Sequence, residues 1–159
     1  MSLFKPLRIR AAVLRNRFVM PAMQRMCATN GVPDQDFVAW YALRAQGGAA
    51  LVISEGAAID HPSATKTSRI LRLEAPMLDG WQACAEAVHR AGAYFLIQLF
   101  HEGAVRLEGQ GPYPSAPTLS PSGLITPGKQ SGRAATRYEL EEIKDAYVRG
   151  ARLAERRRP

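Results

Sequence analysis

The stretch AALVISEG, residues 49–56, decides the fold of this chain. Its first five residues are all apolar, with no polar alternation, and Gly47 and Gly48 stand directly before it. A short continuous apolar run of this kind is typical of a strand that is buried on both faces of a parallel sheet. The run therefore predicts a buried strand of a parallel sheet, and the neighbouring segments predict what covers it.

Two similar apolar runs flank this strand along the chain. Residues 16–20 read as a buried strand that Pro21 stops, and residues 94–100 read as a third buried strand. Helical patterns follow each run, and their predicted core-facing residues are Phe37, Trp40, Tyr41 and Ala45, then Trp81, Ala85 and Val88, then Leu140, Ile143, Tyr147 and Ala151.

The helix boundaries carry sequence signals as well. Asp34 or Asp36 can cap the first helix, the second helix spans about residues 76–90, and Thr136 with Glu139 forms a Thr-x-x-Glu capping box ahead of the third. Residues 7–14 predict a small hairpin, and the Gly/Pro/Ser-rich residues 101–135 predict a long loop. The order βαβαβα is compatible with the beginning of a barrel or with an open sheet.

Composition and charge exclude several classes of protein. The 159 residues are 47% hydrophobic and 22% charged, as in ordinary soluble globular proteins. No apolar run approaches the roughly 20 residues needed to cross a membrane, and no secretory leader is visible. We expect a cytoplasmic protein with no membrane partner. The net charge of +7 comes partly from the run at residues 156–158 and forms no stripe, so we expect no nucleic-acid partner. Two distant cysteines and dispersed histidines predict no metal site.

Small or polar groups stand at the carboxyl end of each predicted strand: Ala22-Met23-Gln24, Glu55-Gly56 and Gln98. Ligands of parallel α/β sheets bind beyond these ends. Gly56 would let a flat ring approach the backbone, and the Gln98 amide could pair with an imide-like edge. The alternative stays open that Gln98 is a buried amide bonded to backbone and that Gly56 is an ordinary turn glycine.

These residues carry a resemblance to a known family. The sequence resembles the N-terminal part of the Old Yellow Enzyme and NADH:flavin oxidoreductase family in five blocks in matching order: residues 16–23 (NRFVMPAM), 41–45 (YALRA), 52–57 (VISEGA), 97–103 (IQLFHEG) and 114–117 (PSAP). The resemblance implies the first three βα units of a (β/α)8 TIM barrel with an N-terminal hairpin. Since a complete barrel takes about 250 residues, residues 1–159 would form an incomplete FMN-binding domain whose barrel does not close.

The resemblance also implies a function and a site. FMN would take hydride from NAD(P)H and pass it to a small-molecule acceptor such as an activated alkene. Ala22, Met23 and Gln24 would lie along the flavin ring, Gly56 near its O4 side, and Gln98 at its pyrimidine portion. Gln24 stands where the family often has Thr or Cys, and no Arg follows Gly103. His101 is interpreted either as a residue at the mouth of the site or as a structural loop histidine.

Part of the family's machinery is expected beyond the last residue of this sequence. The resemblance places the substrate-binding His-His or His-Asn pair on a fourth strand, so the catalytic residues are not identified here. We hypothesise a truncated product, from a frameshift or a broken gene model. The alternatives are a catalytically inactive fragment, which physics favours for the isolated chain, and a small basic binding module. An open barrel edge predicts self-association.

Overall fold

The structure, a computed structural model, describes residues 2–155. The basic run at residues 156–158 lies outside these residues. The strands of the structure are β1 (Leu7–Ile9), β2 (Ala12–Leu14), β3 (Val19–Met20), β4 (Leu51–Ile59), β5 (Arg72–Leu73), β6 (Tyr94–Phe100), β7 (Leu119–Ser120), β8 (Leu124–Thr126), β9 (Lys129–Gln130) and β10 (Arg133–Ala134). Its helices are α1 (Gln35–Gln46), α2 (Leu78–Arg90) and α3 (Arg137–Glu155).

The main sheet is built around β4, the buried strand that the sequence predicted. Strand β3 pairs with the beginning of β4 and β5 pairs with its end, whereas β6 pairs along the opposite edge; all these pairs are parallel. The predicted strand order is confirmed, but two predicted lengths were wrong. Strand β3 is shorter than residues 16–20, and β4 continues through Glu55 and Gly56 to Ile59. Glu55 and Gly56 therefore lie inside the strand and not at its end.

Helices α1 and α2 cover one face of the sheet. The side chain of Asp34 caps α1, since its Oδ1 accepts hydrogen bonds from the backbone N–H groups of Asp36 and Phe37 at 3.1 and 3.3 Å. The helices and the sheet bury one shared core, whose fully or nearly buried members are Ala28, Phe37, Tyr41, Ala45, Val52, Ala57, Leu71, Leu73, Trp81, Cys84, Val88 and Ala93. Ala85, which was predicted to face the core, is only partly buried, and its neighbour Cys84 is buried instead.

Helix α3 begins at the predicted capping box. Thr136 Oγ1 accepts a hydrogen bond from the Glu139 backbone N–H at 3.3 Å, and Glu139 Oε2 accepts one from the Thr136 N–H at 2.8 Å. The predicted apolar stripe was partly wrong, because Leu140 and Ala151 are exposed. The face that meets the sheet instead consists of Ile143, Ala146, Tyr147, Gly150 and Leu153. Small residues at the centre let the helix approach β6 closely, and a Cβ at Gly150 would stand 3.2 Å from Leu99 Cδ2.

Strand β6 is not buried on both faces, which corrects the sequence prediction. Its side chains alternate between exposed and half-buried along Tyr94 to Gln98. Phe95 and Ile97 pack into the core, whereas Leu96 is 53% exposed on the other side. We call this second side the open face; it comprises Tyr94, Leu96 and Gln98 of β6 with Leu51 and Ile53 of β4. Among the strands described, β6 pairs only with β4, so its outer edge is free.

The segment 101–135 is ordered by short strands and one buried arginine, where the sequence predicted a plain loop. Strands β7 and β10 pair in parallel, and β8 and β9 form an antiparallel hairpin. The fully buried Arg106 guanidinium donates hydrogen bonds to the carbonyls of Thr65, Ala116 and Tyr113 at 3.3, 2.7 and 2.7 Å. The Arg106 guanidinium thus supplies hydrogen bonds to backbone carbonyls that would otherwise need a partner from a sheet or from water.

The N-terminal hairpin β1–β2 confirms the sequence prediction and lies at the amino end of the sheet. The Val13 backbone N–H donates to the Tyr94 hydroxyl at 3.2 Å, which ties the hairpin to the beginning of β6. Arg15 donates to the carbonyls of Ala45, Ala49 and Ala91 at 2.6 to 3.1 Å. These contacts hold the N-terminal segment against the amino end of the sheet. Within residues 2–155, no helix combines the length and apolarity that a membrane crossing requires.

Candidate functional site

A β-bulge in β4 brings Gly56 beside Gln98. Ile53 pairs with Leu96, and the next register pair is Gly56 with Gln98, so β4 advances three residues while β6 advances two. Because side chains alternate along a strand, the extra residue keeps Gly56 on the same side of the sheet as Ile53. Ser54 stabilises the bulge: its Oγ accepts a hydrogen bond from the Gln98 backbone N–H at 3.1 Å and donates one to the Glu55 carbonyl at 2.7 Å.

Gln24 and Phe100 occupy the space next to Gly56. A Cβ built on Gly56 would lie 3.1 Å from Cβ and Cγ of Phe100 and 3.3 Å from Gln24 Oε1. The glycine is therefore required by the close approach of two side chains, and not by open space above the backbone. The consequence is that Gln24, Gly56 and Gln98 form one contiguous group across three strands or strand ends.

The remaining predicted residues of the first segment lie in the loop after β3. Ala22 is half-buried, whereas the side chain of Met23 is 57% exposed directly before Gln24. Neither amide side chain, of Gln24 or of Gln98, is hydrogen-bonded to another residue within 2–155, and both are exposed. The loop after β3 thus exposes Met23 and the open face exposes Leu96, and the amides of Gln24 and Gln98 are free within the described part of the chain.

Sequence reasoning missed the ion pair behind this group. Glu55 is 1% exposed and its Oε1 lies 2.7 Å from Arg25 Nε, while its Oε2 accepts a hydrogen bond from the Arg25 backbone N–H at 3.2 Å. A carboxylate inside an apolar strand needs a partner, because a buried unpaired charge is costly. That rule was the available signal, since Arg25 directly follows Gln24 in the sequence.

The phenol of Tyr41 completes this buried cluster. Its hydroxyl donates to Glu55 Oε1 at 3.4 Å and accepts from the Glu55 backbone N–H at 3.2 Å. Burial raises the pKa of Tyr41, and the negative charge of Glu55 raises it further. The phenol therefore stays protonated over the physiological range and serves as a fixed hydrogen-bonding group.

His101 directly follows β6 and therefore lies at the carboxyl end of the sheet. Its Nδ1 accepts a hydrogen bond from the Gly103 N–H at 3.0 Å, and its buried Nε2 has no partner among the described residues. The His61 ring lies 5.7 Å away, centroid to centroid. Burial, then the neighbouring His61 and Arg106, lower the pKa of His101 to about 4, so the ring is neutral at pH 7. Among the described contacts, His101 touches none of Gln24, Gly56 and Gln98, so its role at the mouth of a site stays a prediction.

A separate polar cleft of about 570 Å³ lies among the loops that follow β3, β4 and β6. Its lining includes Asn30, Lys66, Ser68, Arg72 and Gln110. None of the predicted site residues lines it. The two cations are already paired, Lys66 with Glu102 at 3.6 Å and Arg72 with Glu74. The cleft is thus distinct from the group around Gly56.

Taken by its chemistry, the group around Gly56 suits a flat, partly polar aromatic ligand. Met23 and Leu96 offer an apolar surface, and the amides of Gln24 and Gln98 each offer a donor and an acceptor. Among the described residues, no group of three or more His, Cys, Asp and Glu side chains comes together as a metal site would require.

Comparison with known proteins identifies where this architecture recurs. The family model described as NADH:flavin oxidoreductase / NADH oxidase family matches residues 2–156. An NADH oxidase of Thermoanaerobacter brockii is 36% identical over 154 residues, which cover 94% of this chain and 23% of that protein. The flavin oxidoreductase hxnT of Emericella nidulans is 32% identical over 163 residues, covering 97% of this chain and 42% of that protein.

Solved structures match the fold over the same extent. Morphinone reductase in complex with tetrahydroNAD superposes with a TM-score of 0.86 at 27% identity, covering 98% of this chain and 47% of that one. The Old Yellow Enzyme homologue from Zymomonas mobilis gives a TM-score of 0.83 at 26% identity, covering 97% and 45%. This chain thus spans less than half the length of these proteins and has the fold of a partial TIM barrel that is not closed. It belongs to the NADH:flavin oxidoreductase / NADH oxidase family.

Proposed function

We propose that this chain forms the first part of an FMN site in an NAD(P)H-dependent oxidoreductase of the ene-reductase type. The observation that carries the proposal is the contiguity of Gln24, Gly56 and Gln98 at the carboxyl end of the sheet. These residues come from three separate segments of the sequence, and the bulge in β4 is what aligns the second with the third. The family match supports a flavin as the ligand, and its identity as FMN is part of the proposal.

The residues present fit a flavin ring chemically. Gln98 and Gln24 have free amides that can bond the donor and acceptor atoms at the polar edge of such a ring, and Met23 and Leu96 can cover its apolar part. When bound, FMN supplies the group that accepts hydride from a reduced nicotinamide and passes it to an acceptor. Hydrogen-bond donors held in place at the ring stabilise the negative charge of its reduced form.

The acceptor we propose is a small molecule with an activated alkene. Family membership and the likeness to morphinone reductase support this class, and the complex of that enzyme with a reduced nicotinamide analogue supports NADH or NADPH as the donor. The described part of the chain offers no residue pair assigned to the acceptor's oxygen. The proposal therefore assigns to this segment the binding and tuning of the flavin.

Flavin binding tests the proposal directly. The chain is purified, titrated with FMN by fluorescence quenching, and mixed anaerobically with NADH or NADPH while the flavin absorbance is recorded. We expect saturable FMN binding that Gln98→Leu weakens about tenfold, the size of one or two lost hydrogen bonds. The matched control is Gln46→Leu, because Gln46 is an exposed glutamine at the last residue of α1, which leads into the amino end of β4.

The outcomes separate the alternatives. A folded chain that binds no FMN, or that loses affinity equally in both variants, contradicts the proposed site. A chain that binds FMN but leaves it oxidised in the presence of NADH and NADPH supports the alternative of a catalytically inactive fragment. Bleaching of the bound flavin supports the oxidoreductase activity itself.

A further inference from the structure

A buried ion pair lies directly behind the proposed flavin-binding residues. Arg25 and Glu55 meet twice, through Nε to Oε1 at 2.7 Å and through the Arg25 backbone N–H to Oε2 at 3.2 Å. Both contacts are shielded from water, since the two side chains are 18% and 1% exposed. One carboxylate thus holds both the side chain and the backbone of the same arginine.

The two residues of the ion pair are sequence neighbours of two proposed flavin-binding residues. Arg25 directly follows Gln24, and Glu55 directly precedes Gly56. The pair therefore links the loop after β3 to the bulge in β4, one residue away from the close approach of Gln24 to Gly56. A loop segment without regular backbone pairing depends on such side-chain contacts for its position.

The guanidinium of Arg25 is fixed from its other side by aromatic rings. Its Cζ lies 4.3 Å from the ring centroid of Phe37 and 4.5 Å from that of Trp40. Its buried Nη2 has no hydrogen-bond acceptor within residues 2–155, and Glu55 is the carboxylate with which the structure pairs it. The positive charge of Arg25 is therefore balanced by Glu55 inside a water-poor cluster, where charge interactions are strong.

We propose that Arg25 and Glu55 are positioning residues that hold Gln24 against Gly56 and set the charge balance behind the flavin. The inference rests on the proposed function and deepens it. Glu55 fixes the loop, and the neutralised pair prevents either charge from biasing the site toward the oxidised or the anionic reduced flavin. Each function makes a separate prediction.

The charge balance is tested by the ratio of the affinities for reduced and oxidised FMN. In Glu55→Gln the unbalanced guanidinium should favour the reduced, anionic flavin, and in Arg25→Gln the unbalanced carboxylate should disfavour it. We expect the ratio to move about three- to tenfold in opposite directions, and to return toward the wild-type value in the double variant. A merely structural role would weaken both redox forms together, so an unchanged ratio, or shifts of equal sign, overturns the charge assignment.

Hydrogen–deuterium exchange of the flavin-free chain tests the positioning independently. We expect faster exchange at residues 19–26 in Glu55→Gln, and in Arg25→Lys, which keeps the charge but loses the Nε contact. Glu74→Gln is the control, because it removes another carboxylate that pairs with an arginine of the same fold. If the wild type binds no FMN, the proposed function fails while exchange still decides the positioning. Equal exchange in the three variants overturns it.

Discussion

A single inserted residue organises the candidate site at the residue scale. Without the bulge between Ile53 and Gly56, the residues after Ser54 would alternate onto the opposite faces of the sheet. Glycine is the residue that fits there, since Phe100 and Gln24 crowd the position that a Cβ would take. The neighbouring Glu55 is tolerated in a buried strand because Arg25 and Tyr41 satisfy its two oxygens.

The crowding at Gly56 predicts the effect of adding one methyl group. In Gly56→Ala the new carbon meets Phe100 Cβ at 3.1 Å, and this atom is fixed to the backbone of β6, so the two strands must shift apart slightly. The new carbon also lies 3.3 Å from Gln24 Oε1, so the Gln24 side chain must move as well. We expect a loss of about 1–3 kcal/mol in the free energy of unfolding and FMN binding weakened about tenfold. Urea unfolding and FMN titration measure the two effects.

Gly47→Ala is the matched control for this substitution. Gly47 has a φ of −69°, and its Cβ would lie 3.3 Å from the Leu43 carbonyl oxygen, at the end of α1. Its FMN affinity should equal that of the wild type. Unchanged FMN affinity in Gly56→Ala would show that the ligand does not depend on this contact.

His101 predicts a dependence of stability on pH. Its pKa is lowered from 6.5 to about 4 by burial first and then by His61 and Arg106. The unfolded chain therefore binds a proton more readily than the folded one, so stability is complete above pH 6.5 and falls between pH 6.5 and 4. Because water partly reaches the ring, we expect the free energy of unfolding to fall by about 1–2 kcal/mol over this range.

Substitution by asparagine isolates the contribution of His101. The Oδ1 of asparagine can accept the Gly103 N–H in place of Nδ1, but it does not titrate, so His101→Asn should flatten the fall in unfolding free energy across that window. The control is His89→Asn, at an exposed position in the last turn of α2. Parallel pH profiles for the wild type and His101→Asn would contradict the assignment.

At the scale of elements, the sequence predicted where α3 begins better than it predicted which of its residues pack against the sheet. The Glu139 carboxylate pairs with Arg133 at 2.5 Å and accepts a hydrogen bond from the Thr136 backbone N–H. The contact with Arg133 is the larger of the two causes that lower the pKa of Glu139 to about 2. The reciprocal bonds fix the residue at which the helix begins. Its packing face then follows from the direction in which the helix crosses β6, where Gly150 stands against Leu99.

The capping box predicts a measurable loss when its hydroxyl is removed. Thr136→Ala leaves the Glu139 N–H without its acceptor, and we expect the free energy of unfolding to fall by about 1 kcal/mol. Thermal or urea unfolding measures the change. Thr126→Ala, in the exposed hairpin strand β8, should lie within about 0.5 kcal/mol of the wild type. Equal losses in both variants would exclude a specific capping contribution.

At the scale of the whole molecule, the sheet has one covered and one uncovered face. Tyr94 and Leu96 are 41% and 53% exposed on the open face, and the outer edge of β6 has no partner among the described strands. Exposed apolar surface beside a free strand edge favours association with another chain. We therefore expect the 159-residue chain to self-associate.

Placing a positive charge on this apolar surface tests the expected self-association. Leu96→Lys should shift the chain toward the monomer in light scattering coupled to gel filtration, because a charged side chain on the open face resists burial between copies. Leu43→Lys is the control, since Leu43 is 60% exposed on the outside of α1. A wild-type chain that is monomeric at high micromolar concentration would contradict the prediction.

Much of the fold follows from local patterns in the sequence. The apolar runs determine β4 and β6, Asp34 and the pair Thr136 and Glu139 determine where α1 and α3 begin, and their order determines a parallel sheet. These signals are readable because capping and strand burial depend on residues close together in the chain. The sequence also indicated that Gln24, Gly56 and Gln98 belong to three successive strand segments, although Gly56 and Gln98 lie inside β4 and β6 and not at their ends.

Only the tertiary structure decided the features that depend on distant residues. The bulge, the exposure of β6, and the packing face of α3 each reflect which element lies opposite, and the pairing of Arg25 with Glu55 joins residues 30 apart. The periodicity of apolar residues does not predict such contacts, because it indicates which side chains share a face and not which element packs against that face. The sequence by itself thus determined the elements and their order, while tertiary packing decided which of their residues lie side by side, as Gln24, Gly56 and Gln98 do.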